Sequence, residues 1–255
     1  MIASMMDRQI VITRPSDQAN RLAERLRAEG ARPILFPAIE IHRIATPPVA
    51  AHHYDIAIFI SANAVNHGLA AVAGSLDDLI QVIAVGSATA ASLHASGVAG
   101  VRAPIERFDS EGVLAMAELA AVTGKRVLIV RGIGGRTTLA DALRARGALV
   151  DHLECYERRV PVADPRPLLA LWGAGRIDAV SFTSTEGITN FRTLIGPQGR
   201  AFLLETPAFV PHPRIGTHAR SLGMRKVIEI EPGDDGLITG MRRFFATVES
   251  NSPLP

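Results

Sequence analysis

The chain has 255 residues, 47% apolar and 20% charged, with a formal net charge of +2, a composition too apolar for a disordered chain and too nearly neutral to argue for nucleic acid. The length allows one large domain or two small ones. One cysteine, Cys155, excludes an internal disulfide, the opening "MIASMMDRQIV" lacks a secretory pattern, and no stretch reaches the roughly 20 apolar residues of a membrane helix, so a cytoplasmic protein is expected.

Short β-rich runs alternate with helical patterns along the chain. "QIVITR" precedes "DQANRLAERLRAEG", where Ala19, Leu22 and Leu26 share a face and Gly30 supplies the stop. "IAIFI" (56–60) leads to a helix from Ala62, and "QVIAVG" (81–86) to "SATAASLHASG". "KRVLIVR" (125–131) is followed by "TTLADALRARG", and "IDAVSFT" (177–183) by its own helix. "AFVP" (208–211) with "RIGTHARSLG", then "KVIEI" (226–230) with a C-terminal helix, complete the set. Near-continuous apolar strands alternating with helices predict parallel sheet covered on both faces.

The pattern repeats. "TRPSDQANRLAERLRAEGA" aligns without a gap on "VRGIGGRTTLADALRARGA" at an offset of 117, pairing Arg14 with Arg131 and Gly30 with Gly147. "DIAIFISANAV" aligns on "DAVSFTSTEGI" at 123, pairing Asp55 with Asp178 and Ser61 with Ser184. "VIAVGSATAASLHASGV" aligns on "AFVPHPRIGTHARSLGM" at 126, pairing Gly97 with Gly223. Three blocks in register with small drift are what a duplication leaves. Residues 33–44 and 150–160 are extended runs, each following the first βα unit of its copy, and read as paired linkers between two domains; prolines at 47–48 and 161–167 mark their ends.

Two lysines, Lys125 and Lys226, stand among 27 cationic side chains. A GC-rich genome is one reason for that bias; the fork of arginine, which grips carboxylates bidentately, is another. Ser61 and Ser184 each end a strand where a helix starts and are expected as N-caps. The same turns, Ser61-Ala62-Asn63 and Ser184-Thr185, leave backbone N–H groups at the carboxyl ends of strands, where open parallel sheets bind ligands and helix starts favour anions. "VGSAT" repeats the arrangement with Gly86, Ser87 and Thr89, and "PHPRI" offers His212 and Arg214 in its place. "RGIGGRTT" (131–138) sits in a strand–loop–helix context with Asp151 some way on, but Thr137 stands where a dinucleotide fingerprint needs its third glycine, and no phosphate-loop lysine follows. A loop for carboxylates, built on Arg131, Gly132 and Arg136, fits better. His152 and Cys155 lie three apart on an extended run and point to opposite faces, so they share no metal. No nucleophile–base arrangement emerges. Tyr156 falls in the second linker beside Arg158 and Arg159, either packing between strands or placing a phenolic donor at the domain junction.

"VITRP", "EGARPILFPAIEI", "SANAV", "VGSATAASLHASG", "CYERR", "IDAVSFTST" and "PHPRIGTHARSLG", in that order, resemble the uroporphyrinogen-III synthase family over nearly the whole chain. The resemblance implies two α/β domains, duplicated flavodoxin-like halves, joined by a two-stranded β-ladder. One domain would be 1–35 with 162–255, the other 42–152, the ladder 36–41 with 153–161, and the active site an inter-domain cleft. It implies a cofactor-free, metal-free lyase that dehydrates and closes hydroxymethylbilane with inversion of its terminal ring, a monomer, and substrate handed over from hydroxymethylbilane synthase. Arg14, Arg131 and Arg214, with the turns at 61–63, 86–89 and 184–186, would line that cleft. Tyr156 becomes the candidate general acid for the departing hydroxyl. Ile60 and Ile215 stand where the family pattern has threonine, which makes backbone amides the expected donors there. The alternative is a two-domain hinge protein that captures an anionic ligand without turnover.

Overall fold

A computed structural model describes residues 5–73, 76 and 81–250. In chain order it holds β1 (Gln9–Ile12), α1 (Ser16–Ala28), β2 (Arg32–Leu35), β3 (Glu40–Arg43), β4 (Val49–Ala50), β5 (Ile56–Phe59), α2 (Ala62–Gly68), β6 (Val72–Ala73), β7 (Gln81–Ala84), α3 (Ser87–Ala95), α4 (Ser110–Leu114), β8 (Arg126–Gly132), α5 (Thr138–Ala145) and β9 (Leu149–Arg159). Then follow α6 (Arg166–Gly173), β10 (Ala179–Ser181), α7 (Thr185–Leu194), α8 (Gly196–Glu205), β11 (Ala208–Val210), α9 (Pro213–Ser221), β12 (Val227–Glu229) and α10 (Gly233–Ser250). The chain divides into two compact units, Met1–Glu40 with Arg159–Pro255 and Ile41–Arg158.

The first unit is built on the order β12-β11-β10-β1-β2, parallel at every pairing. Numbered along this unit, that is the doubly wound order 2-1-3-4-5, with its switch point between β1 and β10. All four residues of β1 are buried, which is why Ile10, Val11 and Ile12 are consecutively apolar. One face carries α1 and α10, packed through Leu22, Leu26, Leu237 and Met241; the other carries α6 to α9 around Trp172, Phe182 and Phe191.

The second unit has the order β3-β9-β8-β5-β7, and β8, β9, β5 and β7 pair in parallel. Matching β8, β9, β5 and β7 to β1, β2, β10 and β11 reproduces the neighbour relations of the first sheet. Small contacts duplicate with it. Asp55 accepts the Arg126 amide at 2.7 Å, and Asp178 accepts the Gln9 amide at 2.8 Å. Gly30 and Gly147, both at φ +85°, turn the chain out of α1 and α5, a left-handed conformation that suits glycine. The place of β12 is held in the second unit by Arg102, bridged to Ile83.

The extended run at 33–44 is broken. Phe36 and Ala38 still donate to the Ile12 and Thr13 carbonyls beside β1, at 3.0 Å each, but Pro37 between them has no N–H and no strand covers 36–39. Phe36 buries its ring edge-on to Phe191 in the first unit. The chain then enters β3, which neighbours β9 at the edge of the second sheet, with the Ile44 amide on the Cys155 carbonyl at 3.0 Å. The ladder is therefore continuous with a five-stranded sheet.

Candidate active site

In the second unit the switch point lies between β8 and β5. There a cavity of about 290 Å³ opens, lined among others by Ile60, Arg131, Gly132, Arg136 and Tyr156. Arg131, the penultimate residue of β8, is 5% exposed. Its Nε donates to the Gly132 carbonyl at 3.1 Å and its Nη1 to the Arg136 carbonyl at 3.5 Å. Glu154 is its register partner on β9, yet Arg131 makes no ion pair among the described residues. A buried cation held only by carbonyl dipoles carries an uncompensated desolvation cost, which an incoming anion offsets.

Tyr156 on β9 forms another wall. It is 1% exposed, lies flat against Gly132, where a Cβ would come within 2.6 Å of its ring, and places its hydroxyl 3.0 Å from Ser61 Oγ. Ser61 Oγ also accepts the Ala64 amide at 3.0 Å as the N-cap of α2. The expected cap is thus one end of a Ser–Tyr pair. The guanidinium of Arg158 sits 5.8 Å from the Tyr156 ring centre, within cation–π range. Cys155, the chain neighbour of Tyr156, is fully buried, and burial pushes its thiol up to about 11, which disfavours the nucleophilic thiolate. His152, near Arg131, is held below the ordinary imidazole range by burial and by the Arg131 and Arg144 charges.

The remaining strand-end candidates of this unit divide. Ala62 and Asn63 form the first turn of α2, and Gly86, extended at φ −163°, caps α3 beneath Phe108. Ser87 is exposed, whereas Thr89 is buried. Asp109 and Ser110 line the cavity without any sequence signal, because they arrive from a loop and a five-residue helix outside the strand-end pattern. The Asp109 carboxyl is held below its usual range by the Gly112 N–H, then by Arg107 and Arg136.

The equivalent position in the first unit is closed. Thr13 Oγ1 donates to the Ser181 carbonyl at 2.7 Å and Ser181 Oγ to the Val11 carbonyl at 3.3 Å, stitching β1 to β10. Arg14 lies two residues beyond the end of β1 and pairs with Asp234 in the first turn of α10. Ser184 caps α7 through the Gly187 amide at 3.0 Å, and His212 caps α9, its Nδ1 accepting the Arg214 amide at 3.0 Å. Thr185 and Arg214 meet on a groove of about 660 Å³ between α7 and α9, with Thr189 and His218 3.2 Å apart on its wall. The "RGIGGR" loop folds around its own guanidinium, Arg131 Nη2 lying 3.2 Å from where a Cβ of Gly135 would sit.

No helix among the described residues is long and apolar enough to cross a membrane, and no cluster of three metal-ligating side chains occurs among them. The family profile described as uroporphyrinogen-III synthase HemD matches residues 20–239. A uroporphyrinogen-III synthase of Escherichia coli is 31% identical over 248 residues, covering 91% of this chain and 99% of its own. One from Synechococcus elongatus is 33% identical over 206 residues, 75% of this chain and 76% of its own. Among solved structures, a mutant uroporphyrinogen III synthase of Thermus thermophilus aligns with a TM-score of 0.60 at 17% identity, over 94% of this chain and 99% of that one. The Helicobacter pylori uroporphyrinogen-III synthetase aligns with the same score at 14% identity, over 93% and 99%. With residues 20–239 matched, the relatives aligned over most of both chains and the fold shared, the chain belongs to the uroporphyrinogen-III synthase family.

Proposed function

We infer that the chain converts hydroxymethylbilane to uroporphyrinogen III. The substrate, a linear tetrapyrrole carrying acetate and propionate arms, loses its terminal hydroxyl as water and becomes an electrophilic azafulvene. The substituted carbon of the last pyrrole attacks it, the resulting spiro intermediate fragments, and the ring closes again with that pyrrole inverted. Each step is open to the substrate itself, so the protein's task is to impose the conformation that inverts the ring, an entropy-trap role. The observation that carries this reading is Arg131, buried without a counter-ion on the wall of a cavity that also holds the Ser61–Tyr156 pair. A carboxylate arm completes the first; a departing hydroxyl can be protonated by the second.

Within the first unit, Arg214 and Thr185 on their own groove offer a cation and a hydroxyl to further carboxylates. Arg14, already paired with Asp234, braces its strand instead of serving the substrate. The enzyme works in the cytoplasm as a monomer and receives substrate from hydroxymethylbilane synthase. Family membership disfavours a binding protein without turnover. The deciding measurement is the isomer formed from synthetic hydroxymethylbilane, read after oxidation to porphyrin. Type III is expected in excess over the type I product of unaided closure; type I alone, at the buffer rate, overturns the assignment.

A further inference from the structure

Two arginines flank the glycine loop at the 290 Å³ cavity, Arg131 buried within it and Arg136 exposed, and both line it. We propose that these two guanidiniums read the two neighbouring acid arms of a single pyrrole, and that Arg136 is the specificity-determining residue for the acetate. The proposal rests on hydroxymethylbilane being the substrate.

The size of the cavity limits what enters. Ligand clefts run from roughly 300 to 1,000 Å³, and this one stands at the low end, room for one substituted ring and not for four. Each pyrrole of the substrate carries an acetate and a propionate on adjacent carbons, two anionic forks side by side. The protein offers two cationic forks on one short loop, the buried one anchored to the backbone of the residue that carries the other. Arg131 donates to the carbonyl of Arg136 itself, at 3.5 Å, and to that of Gly132 at 3.1 Å. Gly134 at φ +73° and Gly135 at φ +86° supply the left-handed turns that bring residue 136 back over the guanidinium. The propionate, one methylene longer, reaches the buried Arg131, and the shorter acetate stays at the exposed Arg136.

Neither guanidinium is claimed beforehand. Among the described residues Arg136 makes no ion pair. Asp109, the acid on the same cavity, spends its carboxylate on Arg107 at 2.9 Å and on the Gly112 amide at 2.8 Å. The duplicate copy lacks the device: at the offset of 117, Ala19 stands in place of Arg136, and Arg14 is taken by Asp234.

The test is a cycle of two enzymes and two substrates, run on the full chain: wild type and Arg136→Ala, each with hydroxymethylbilane and with the analogue carrying methyl groups in place of acetates. On the natural substrate Arg136→Ala should raise KM about 10- to 100-fold, the worth of a charge-assisted fork, with kcat within about threefold. On the methyl analogue the same substitution should change KM less than about threefold. Arg136→Lys, keeping charge without the fork, should fall between. An unchanged KM on the natural substrate, or an equal penalty on both substrates, overturns the proposal. Wild-type enzyme that fails to turn over hydroxymethylbilane instead overturns the assigned reaction, so the two failures are distinct. Arg136 is exposed, so an unchanged melting temperature is expected and separates lost recognition from lost folding.

Discussion

Tyr156 is 1% exposed with its hydroxyl 3.0 Å from Ser61 Oγ, so its proton is available to the leaving hydroxyl when Ser61 is the donor of that pair. Hydroxide is a poor leaving group, and general-acid help is worth roughly 10²- to 10⁴-fold where it operates; an already labile substrate needs less. Tyr156→Phe should therefore lower kcat about 5- to 100-fold while the product remains type III. Turnover at the wild-type rate would reduce Tyr156 to a packing residue over Gly132. At this scale the sequence showed which residues end strands but not what they meet. Arg14 and Arg131 are equivalents in the repeat; only folding brings Asp234, 220 positions on, against the first and leaves the second unpaired.

Among the elements, the two serine caps form a matched pair with unequal duties. Ser184 serves only the α7 start, whereas Ser61 also holds the Tyr156 hydroxyl. Ser184→Ala should cost about 1 kcal/mol, a melting shift of roughly 2–4 °C. Ser61→Ala should cost about 1–3 kcal/mol more, because it strands a buried phenol. Equal shifts by calorimetry would mean that the phenol finds water instead. The caps were legible because serine before a helix has a local cause. By contrast α8, which begins Gly196-Pro197 and contains Gly199, was not. Its breakers lie in the first turn, where proline is tolerated, and Leu203 is buried against the first unit's core. The stretch at 161–167, read as a linker end, likewise runs into α6, whose Leu168 and Trp172 supply burial that its prolines concealed.

For the whole molecule, the duplication and the compact units do not coincide. The repeat runs from the first βα block to about residue 117, but β1, α1 and β2 complete a sheet with β10 to β12. A fragment of residues 41–158 should melt cooperatively on its own, since it contains a whole five-stranded sheet. A fragment of residues 1–117 should not, having β1 without β10 and β5 without β8. Far-ultraviolet circular dichroism through a thermal scan checks both, and the opposite ranking would mean that the repeat is the folding unit.

That crossed connectivity sets a timetable for synthesis. Val11 pairs with Val180, so a fully buried strand emerges from the ribosome early and finds this neighbour only after some 170 further residues have been made. At about 5–20 residues per second the wait is roughly 10–30 s, while Ile41–Arg158 is already long enough to condense. Delay exposes an unpaired β1 edge, the kind of surface that nascent chains aggregate through. A slower ribosome lengthens that exposure instead of relieving it.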